Sequence, residues 1–390
     1  MDDRISKLPT DILTSIISRL SLREAIATCI LSTSWRHLSS YVTYLNFPPY
    51  ISFNGTLESY VSMVNQVLNS HRGGRIKEFR LDLSDRAGEF ASSFEFAVAK
   101  KAEIVHISIA PKKIHHSLPS MNGLECLKEL SLSHICLDDQ DFGHLVSNCA
   151  ALECFTIEYV AWRNVSIVGL SKLKHINLFH LWQTESVVIR DLISLVSLTF
   201  FEWRCVWKNE FSAQLSNIPK LTKLQLRGDY NQSRHIEFLA EMTSCIRNQL
   251  QLLLISSRTF SSLNHDLLFQ LANIKHLEFV FYISGHWRHI SSHVIHLVKA
   301  CGSLEKLLIK FGVVIPETET REHPRSNMSP KHIEISGYLG YCDERGLILD
   351  LINNITSLQK VIFVANREEA LDRARLDFRH ITSVGFLVIS

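Results

Sequence analysis

The sequence has no Cys-x-x-Cys pair, and its nine cysteines are an odd number with no regular framework. Disulfides are therefore not expected, and a reducing compartment is. Neither sign of charge dominates: Lys+Arg total 41 against 39 Asp+Glu, a net +2. That balance gives no general drive toward nucleic acid or an acidic membrane. No run approaches the roughly 18–20 consecutive apolar residues of a membrane span. The opening Met1-Asp2-Asp3-Arg4 is polar, with no long apolar region behind it, so no secretory signal is expected. No GxxxxGK[ST], GxGxxG or GxSxG occurs, which removes the commonest phosphate cradles and the nucleophile elbow. A soluble intracellular chain, in cytoplasm or nucleus, is the expectation.

What is present is apolar residue, 46% of 390 positions, enough for one large or two to three ordinary domains. The first forty residues organise the rest. Pro9 suits a helix start, where the missing N–H has no partner to lose, and Thr10 or Asp11 could cap or charge the first turn. Ile12, Leu13, Ile16, Ile17 and Leu20 then form a broad amphipathic stripe. Ser21-Leu22-Arg23-Glu24 opens a second helix with Ala25, Ile26, Cys29 and Ile30 on its inner side. A third follows Leu31, anchored by Trp35, Leu38 and Tyr41. Three helices this short cannot bury so much apolar surface among themselves, which predicts a docking face.

Pro48-Pro49 closes this head, and residues 56–71 read as a helix with Leu57, Val61, Val64, Val67 and Leu68 on one face. Then a repeat takes over: apolar-x-x-apolar-x-apolar, followed by an irregular return. It begins at Ile76, Ile104, Leu127, Leu152, Leu173, Leu195, Leu221, Leu250, Ile274 and Leu304. It continues through a degenerate unit on Ile333 and Ile335 to Leu358 and Ile381. Starts fall 21 to 30 residues apart, in the range of leucine-rich repeats. One unit cannot cover its own leucines, so neighbours must stack as a parallel-stranded solenoid. Segments ending in Leu145–Glu153, Leu297–Glu305 and Leu351–Leu358 read as outer helices turning into the next strand. Cys149 and Cys301 within them read as small buried apolar residues.

Leu8-Pro9, Ile12-Leu13, Ile16, Ser18, Leu20, Leu31-Ser32 and Trp35-Arg36-xx-Leu38 resemble an F-box over roughly residues 4–47. Thr33-Ser34 departs from the basic pair that plant members often carry before the Trp. Asp138-Asp139-xx-Phe142-xx-Leu145-xxx-Cys149-xx-Leu152-Glu153 resembles the repeats of plant F-box proteins. Pro330–Tyr341, followed by Leu347, Leu351, Asn354 and Leu358, resembles the FBD segment that closes them. The expected architecture is thus α/β: a three-helix F-box at 1–47, a leucine-rich-repeat solenoid with a parallel concave sheet at 48–315, a linker-like loop at 316–329 and FBD-like closing repeats at 330–390.

This resemblance implies the non-catalytic substrate-recognition subunit of an SCF-type (Skp1-cullin-F-box) ubiquitin ligase. It implies a Skp1-like adaptor, and through it a cullin, held by Leu8, Pro9, Ile12, Leu13, Ile16, Leu20, Leu31 and Trp35. No cofactor, metal, nucleic acid or membrane partner is expected. A protein-binding scaffold without ubiquitin transfer, and a small-molecule-sensing receptor, stay open as alternatives.

The residues themselves offer little chemistry. His289, His293 and His296 share a helical face, with His286 nearby, but Ile290, Val294 and Leu297 form a parallel apolar stripe, so these histidines read as solvated neighbours of a buried face. His115-His116 reads as an exposed loop pair. Cys205 beside Arg204 lacks a catalytic framework. Strand alternation instead points to a binding surface. The residues between the leucines would face outward, and Phe179, Phe201, Trp203 and Arg227 would form an anchor patch for the unknown target protein. The competing expectation is that Phe201 and Trp203 pack beneath the loop Trp207–Phe211.

Overall fold

A computed structural model describes residues 5, 7–32, 35–83, 90–109, 123–135, 137–160, 162–181, 184–202, 212–228, 246, 248–257, 271, 273–281, 290–312, 332–364, 368–381 and 384–389. The chain forms two compact units, Met1–Ile193 and Ser194–Ser390.

The first unit opens with α1 (Thr10–Ile17), α2 (Leu22–Ala27) and a 3-10 helix over Trp35–Tyr41. Strand β1 (Tyr44–Asn46) follows, then α3 (Leu57–Ser70), β2 (Glu78–Leu83) and α4 (Phe90–Ala99). Next come β3 (Ile104–Ile109), β4 (Glu129–Ser133), α5 (Asp139–Asn148) and β5 (Cys154–Glu158). The unit ends with β6 (Asn164–Val168), β7 (His175–Phe179) and β8 (Ser186–Arg190). Strands β1, β2, β3, β4, β5 and β7 pair in that order, all parallel.

Alternation decides which face closes. In β5, Phe155 and Ile157 are fully buried while Cys154, Thr156 and Glu158 are half-exposed. In β2, β3, β5, β7 and β8 the buried side chains recur with the same period of two. Helix α5 lies across the return of its repeat, where the Phe142 ring packs tilted against Trp162 with centroids 4.4 Å apart. Its N-cap is Asp138, whose carboxylate accepts from the Asp141 N–H at 2.7 Å.

The second unit holds β9 (Ser197–Glu202), β10 (Ser212–Ser216), β11 (Lys223–Gly228), β12 (Leu252–Ser257) and β13 (His276–Phe281). They are followed by α6 (Ile290–Ala300), β14 (Lys306–Phe311), β15 (His332–Ser336), α7 (Cys342–Asn354), β16 (Lys360–Val364), α8 (Glu368–Phe378) and β17 (Gly385–Ile389). Strands β9, β11, β12, β13, β14, β15, β16 and β17 again pair in parallel. The three outer helices expected from the Leu145, Leu297 and Leu351 segments are α5, α6 and α7. Cys149 and Cys301 are buried, and burial pushes both thiols up to about 12.

Chain reversal after a strand uses the left-handed region at one recurring place. His134, Tyr159 and His180, each directly after its strand, have φ of 61°, 52° and 51°. Their backbone joins the ladder: the His134 N–H donates to Glu158 O at 2.8 Å and the Tyr159 N–H to Phe179 O at 3.0 Å. After β15 only glycine fits, because a Cβ on Gly337 (φ 71°) would lie 1.7 Å from Phe311 O.

The third head helix is present as a 3-10 helix. Several expectations need correction. Strand β1, helix α4 and the return strands β6, β8 and β10 were not foreseen. The units begun at Ile104 and Ile381 are two residues out of register: Val105 pairs with Phe79, and Phe386 pairs with Val361. A strand alternating over three inward positions satisfies the same spacing before and after a two-residue slip. The segment 316–329 lies outside the described residues.

Candidate functional site

Two places qualify: the outer surface of the helical head and the outward face of the sheets.

In the head, α1 begins on backbone alone. Pro9 O accepts the N–H groups of Ile12 and Leu13 at 3.0 and 3.1 Å, and no side chain caps it. Ser21 starts α2 with a full capping box, its N–H donating to Glu24 Oε2 at 2.9 Å and its Oγ accepting from the Glu24 N–H at 3.3 Å. Donation from the Ser21 hydroxyl at 2.7 Å, and then from its N–H, holds the Glu24 carboxyl below its usual value. The inner face is then filled by Leu13, Ile17, Leu22, Ala25, Trp35, Leu38 and Val42, all buried. Thr43 Oγ1 donates to Ser18 O at 2.7 Å within the head, His71 Nε2 at the end of α3 lies 2.9 Å from Val42 O, and the Lys77 N–H donates to Thr43 O at 2.8 Å, tying the head to the first repeat of its own unit.

What remains outside is apolar. Among the described residues, seven of thirteen exposed large apolar side chains fall within residues 5–31: Ile5, Leu8, Ile12, Ile16, Ile26, Ile30 and Leu31. Ile30 is 87% and Leu31 62% exposed. Leu8, Ile12 and Ile16 line one side of α1 at i, i+4 spacing, and Ile26 and Ile30 repeat that spacing beyond α2. Concentrated exposed apolar surface marks an interaction site.

Of the eight residues expected to hold an adaptor, Leu8, Pro9, Ile12, Ile16 and Leu31 are exposed and Leu20 is half-buried. Leu13 and Trp35 are corrected: at 4% exposure each, they are sealed inside the head and support the surface without forming it. Ile26 and Ile30 are corrected the other way, since α2 turns Leu22 and Ala25 inward. The apolar run of α2 was broad enough to fit either side, and only the match of Leu22 and Ala25 to the α1 stripe separates them.

On the sheets, the expected target patch divides. Phe179 ends β7 in the first unit and is half-buried. Phe201 and Arg227, both half-buried, are register partners on β9 and β11 in the second unit. Trp203 and its loop lie outside the described residues. Alternation does not leave every intervening residue open there: Thr199, Leu254, Ser256, Glu278 and Leu308 are buried. Glu278 is neutralised by Lys310 at 2.7 Å.

The chemistry of these faces is that of contact. His286, His289, His115, His116, Arg204 and Cys205 lie outside the described residues, and among those described no three His, Cys, Asp or Glu side chains converge as a metal set. No described helix is long and apolar enough to cross a membrane.

Two protein-family models match this chain. Residues 5–45 match the F-box domain family, and residues 79–237 match the family described as FBD-associated F-box protein At5g56370, LRR repeats. The F-box/FBD/LRR-repeat protein At1g51370 of Arabidopsis thaliana is 24% identical over 353 residues, covering 83% of this chain and 76% of that protein. The F-box/LRR-repeat protein At3g59200 of the same plant is 25% identical over 236 residues, covering 51% of this chain and 45% of its own. The F-box protein At1g80960, also from Arabidopsis thaliana, is 42% identical over 77 residues, covering 18% of this chain and 16% of its own.

Proposed function

We propose, from the chain's membership of the F-box/FBD/LRR-repeat family, that it is the substrate-recognition subunit of an SCF-type ubiquitin ligase. Members of this family are generally SCF substrate adaptors, typically without catalytic activity, and F-box domains generally bind Skp1-like adaptors. The observation that carries the reading is the concentration of exposed isoleucine and leucine on the head, while among the described residues the repeats bury most of theirs.

In this reading Leu8, Pro9, Ile12, Ile16 and Leu31 contact the adaptor, joined by Ile26 and Ile30, with Leu20 at the margin. Leu13 and Trp35 hold α1 in place from beneath. The sheet faces take the target protein, with Phe179, Phe201 and Arg227 as anchors. The chain itself transfers nothing. It holds the target beside a conjugating enzyme brought by the cullin, and proximity raises the effective concentration.

Co-purification tests this. The full chain expressed in plant cells brings down a Skp1-like adaptor and a cullin, and Ile12→Asp loses both while still folding. Recovery of an adaptor without a cullin favours a scaffold. Retention of both by the variant contradicts the proposed surface.

A further inference from the structure

The outward faces of the two units carry opposite charge. On β2, β3, β4, β5 and β7 the outward positions hold Glu78, Asp82, Glu129 and Glu158 against a single guanidinium, Arg80. On the paired strands of the second unit they hold Lys223, Arg227, Lys306, Lys310 and Lys360 against Glu278 and Glu334. The second face neutralises part of itself, with Lys310–Glu278 at 2.7 Å and Lys306–Glu334 at 3.4 Å. Leu254 and Leu308 on it are also closed to solvent.

The first face is open and only partly neutralised. Its floor is small and hydroxylic: Ser108, Ser131 and Thr156 are half-exposed on successive strands. Arg80 pairs with Glu78, and His106 with Glu129 at 3.1 Å. Glu158 has no cation among the described residues; its recorded contact is Ser133 Oγ at 3.5 Å. Burial pushes its carboxyl up, and a cation seated beside it would favour the charged form.

Beside it stands a wall of three rings. His134 and Tyr159 stack at 4.5 Å and 8°, and Tyr159 and His180 at 4.2 Å and 12°. Tyr159 remains 37% exposed. An unmatched carboxylate next to an accessible aromatic ring suits a guanidinium or ammonium, which gains from both. Asp82 stands in the same register row, three strands from Glu158 through Ser108 and Ser133. That is about 14 Å at the usual strand spacing, within the reach of one extended segment.

We propose that the open sheet face of the first unit seats a lysine- or arginine-bearing segment of a target protein, with Glu158 as its principal charge partner. This rests on the reading that the chain captures targets. The test uses the full chain purified with its adaptor and two fluorescent twelve-residue peptides, one alternating Lys and Ser, the other Glu and Ser. Anisotropy titration shows the Lys–Ser peptide bound and the Glu–Ser peptide not. Glu158→Lys lowers Lys–Ser affinity about tenfold or more, a change of the size expected for losing one ion pair and adding a repulsion. Ser131→Lys, on the exposed floor, lowers it as well and guards against misfolding at Glu158. Equal binding of both peptides, or Lys–Ser binding unchanged in both variants, overturns the proposal. Adaptor retention is read in the same samples. Its loss with peptide binding intact sinks the ligase reading and leaves this face standing; its retention with no peptide preference does the reverse.

Discussion

The helical head and the repeats spend apolar residues differently. In the repeats, inward positions such as Phe155, Ile157, Leu224 and Phe279 are at or near zero exposure, because each strand is covered by its neighbours. In the head, Ile12, Ile16, Ile26, Ile30 and Leu31 remain outside although the inner side is filled by Trp35, Leu38 and Ile17. The repeats complete themselves by stacking. The head is small, and among the described residues its second apolar side stays exposed; in the proposed reading the adaptor covers it.

The sharpest way to break this contrast is to exchange the roles of inner and outer side chains. Trp35→Ala empties the head core and costs about 3–5 kcal/mol, the range for a buried large aromatic. Thermal unfolding then shows a lower or separate head transition, and adaptor capture falls with it. Ile12→Asp, on the outer side, leaves the thermal midpoint within the shift expected of about 0.5 kcal/mol. It still weakens adaptor binding at least about tenfold, by putting a charge into an apolar contact. If both variants lose stability and binding together, inner and outer sides are not distinct.

Acid tests the ring stack in the repeats of the first unit. His180 is buried, and burial, with the nearby His134, lowers its pKa from 6.5 to about 4. His134 is lowered by burial as well, with Asp82 opposing the shift. For a base whose folded pKa is depressed, the unfolded chain takes the proton first. The ring stack therefore contributes fully above pH 6.5 and loses its contribution as pH falls from 6.5 toward about 4. Chemical denaturation at a series of pH values shows this loss in the wild type and a flatter profile in His180→Phe. Equal pH dependence in the two proteins refutes the role of the stack.

The smallest effect concerns α2. Ser21→Ala removes the capping hydroxyl and costs about 1 kcal/mol. Because Ile26 and Ile30 depend on the start of that helix, adaptor affinity drops slightly, while the repeats unfold unchanged. A shift in the repeat transition would mean that head and repeats do not behave separately.

Much of this was legible in the sequence, for identifiable reasons. Leu130-Ser131-Leu132 and Leu224-Gln225-Leu226 announce strands because their period is two and their returns are of similar length. The head was legible from Pro9 and the Ile12–Ile16 spacing. The errors fall where a pattern has two solutions. Strand β3 alternates over Val105, Ile107 and Ile109, so a slip of two residues looks the same. Helix α2 is apolar on both sides, so Ile26 was placed inward. The return strands β6 and β8 are short, and their Val165, Ile167, Val187 and Ile189 resemble any apolar return. Trp35 was counted as a contact because large aromatics anchor both cores and interfaces; only packing distinguishes the two.

Isothermal titration of the full chain with a purified Skp1-like adaptor, repeated at several temperatures, reads the head's uncovered surface directly. The account predicts one-to-one binding with a clearly negative heat-capacity change, the signature of apolar burial. It also predicts that Ile12→Asp together with Ile30→Asp abolishes that binding in a folded protein. Undiminished binding by the doubly substituted chain, or no binding by the natural one, would contradict it.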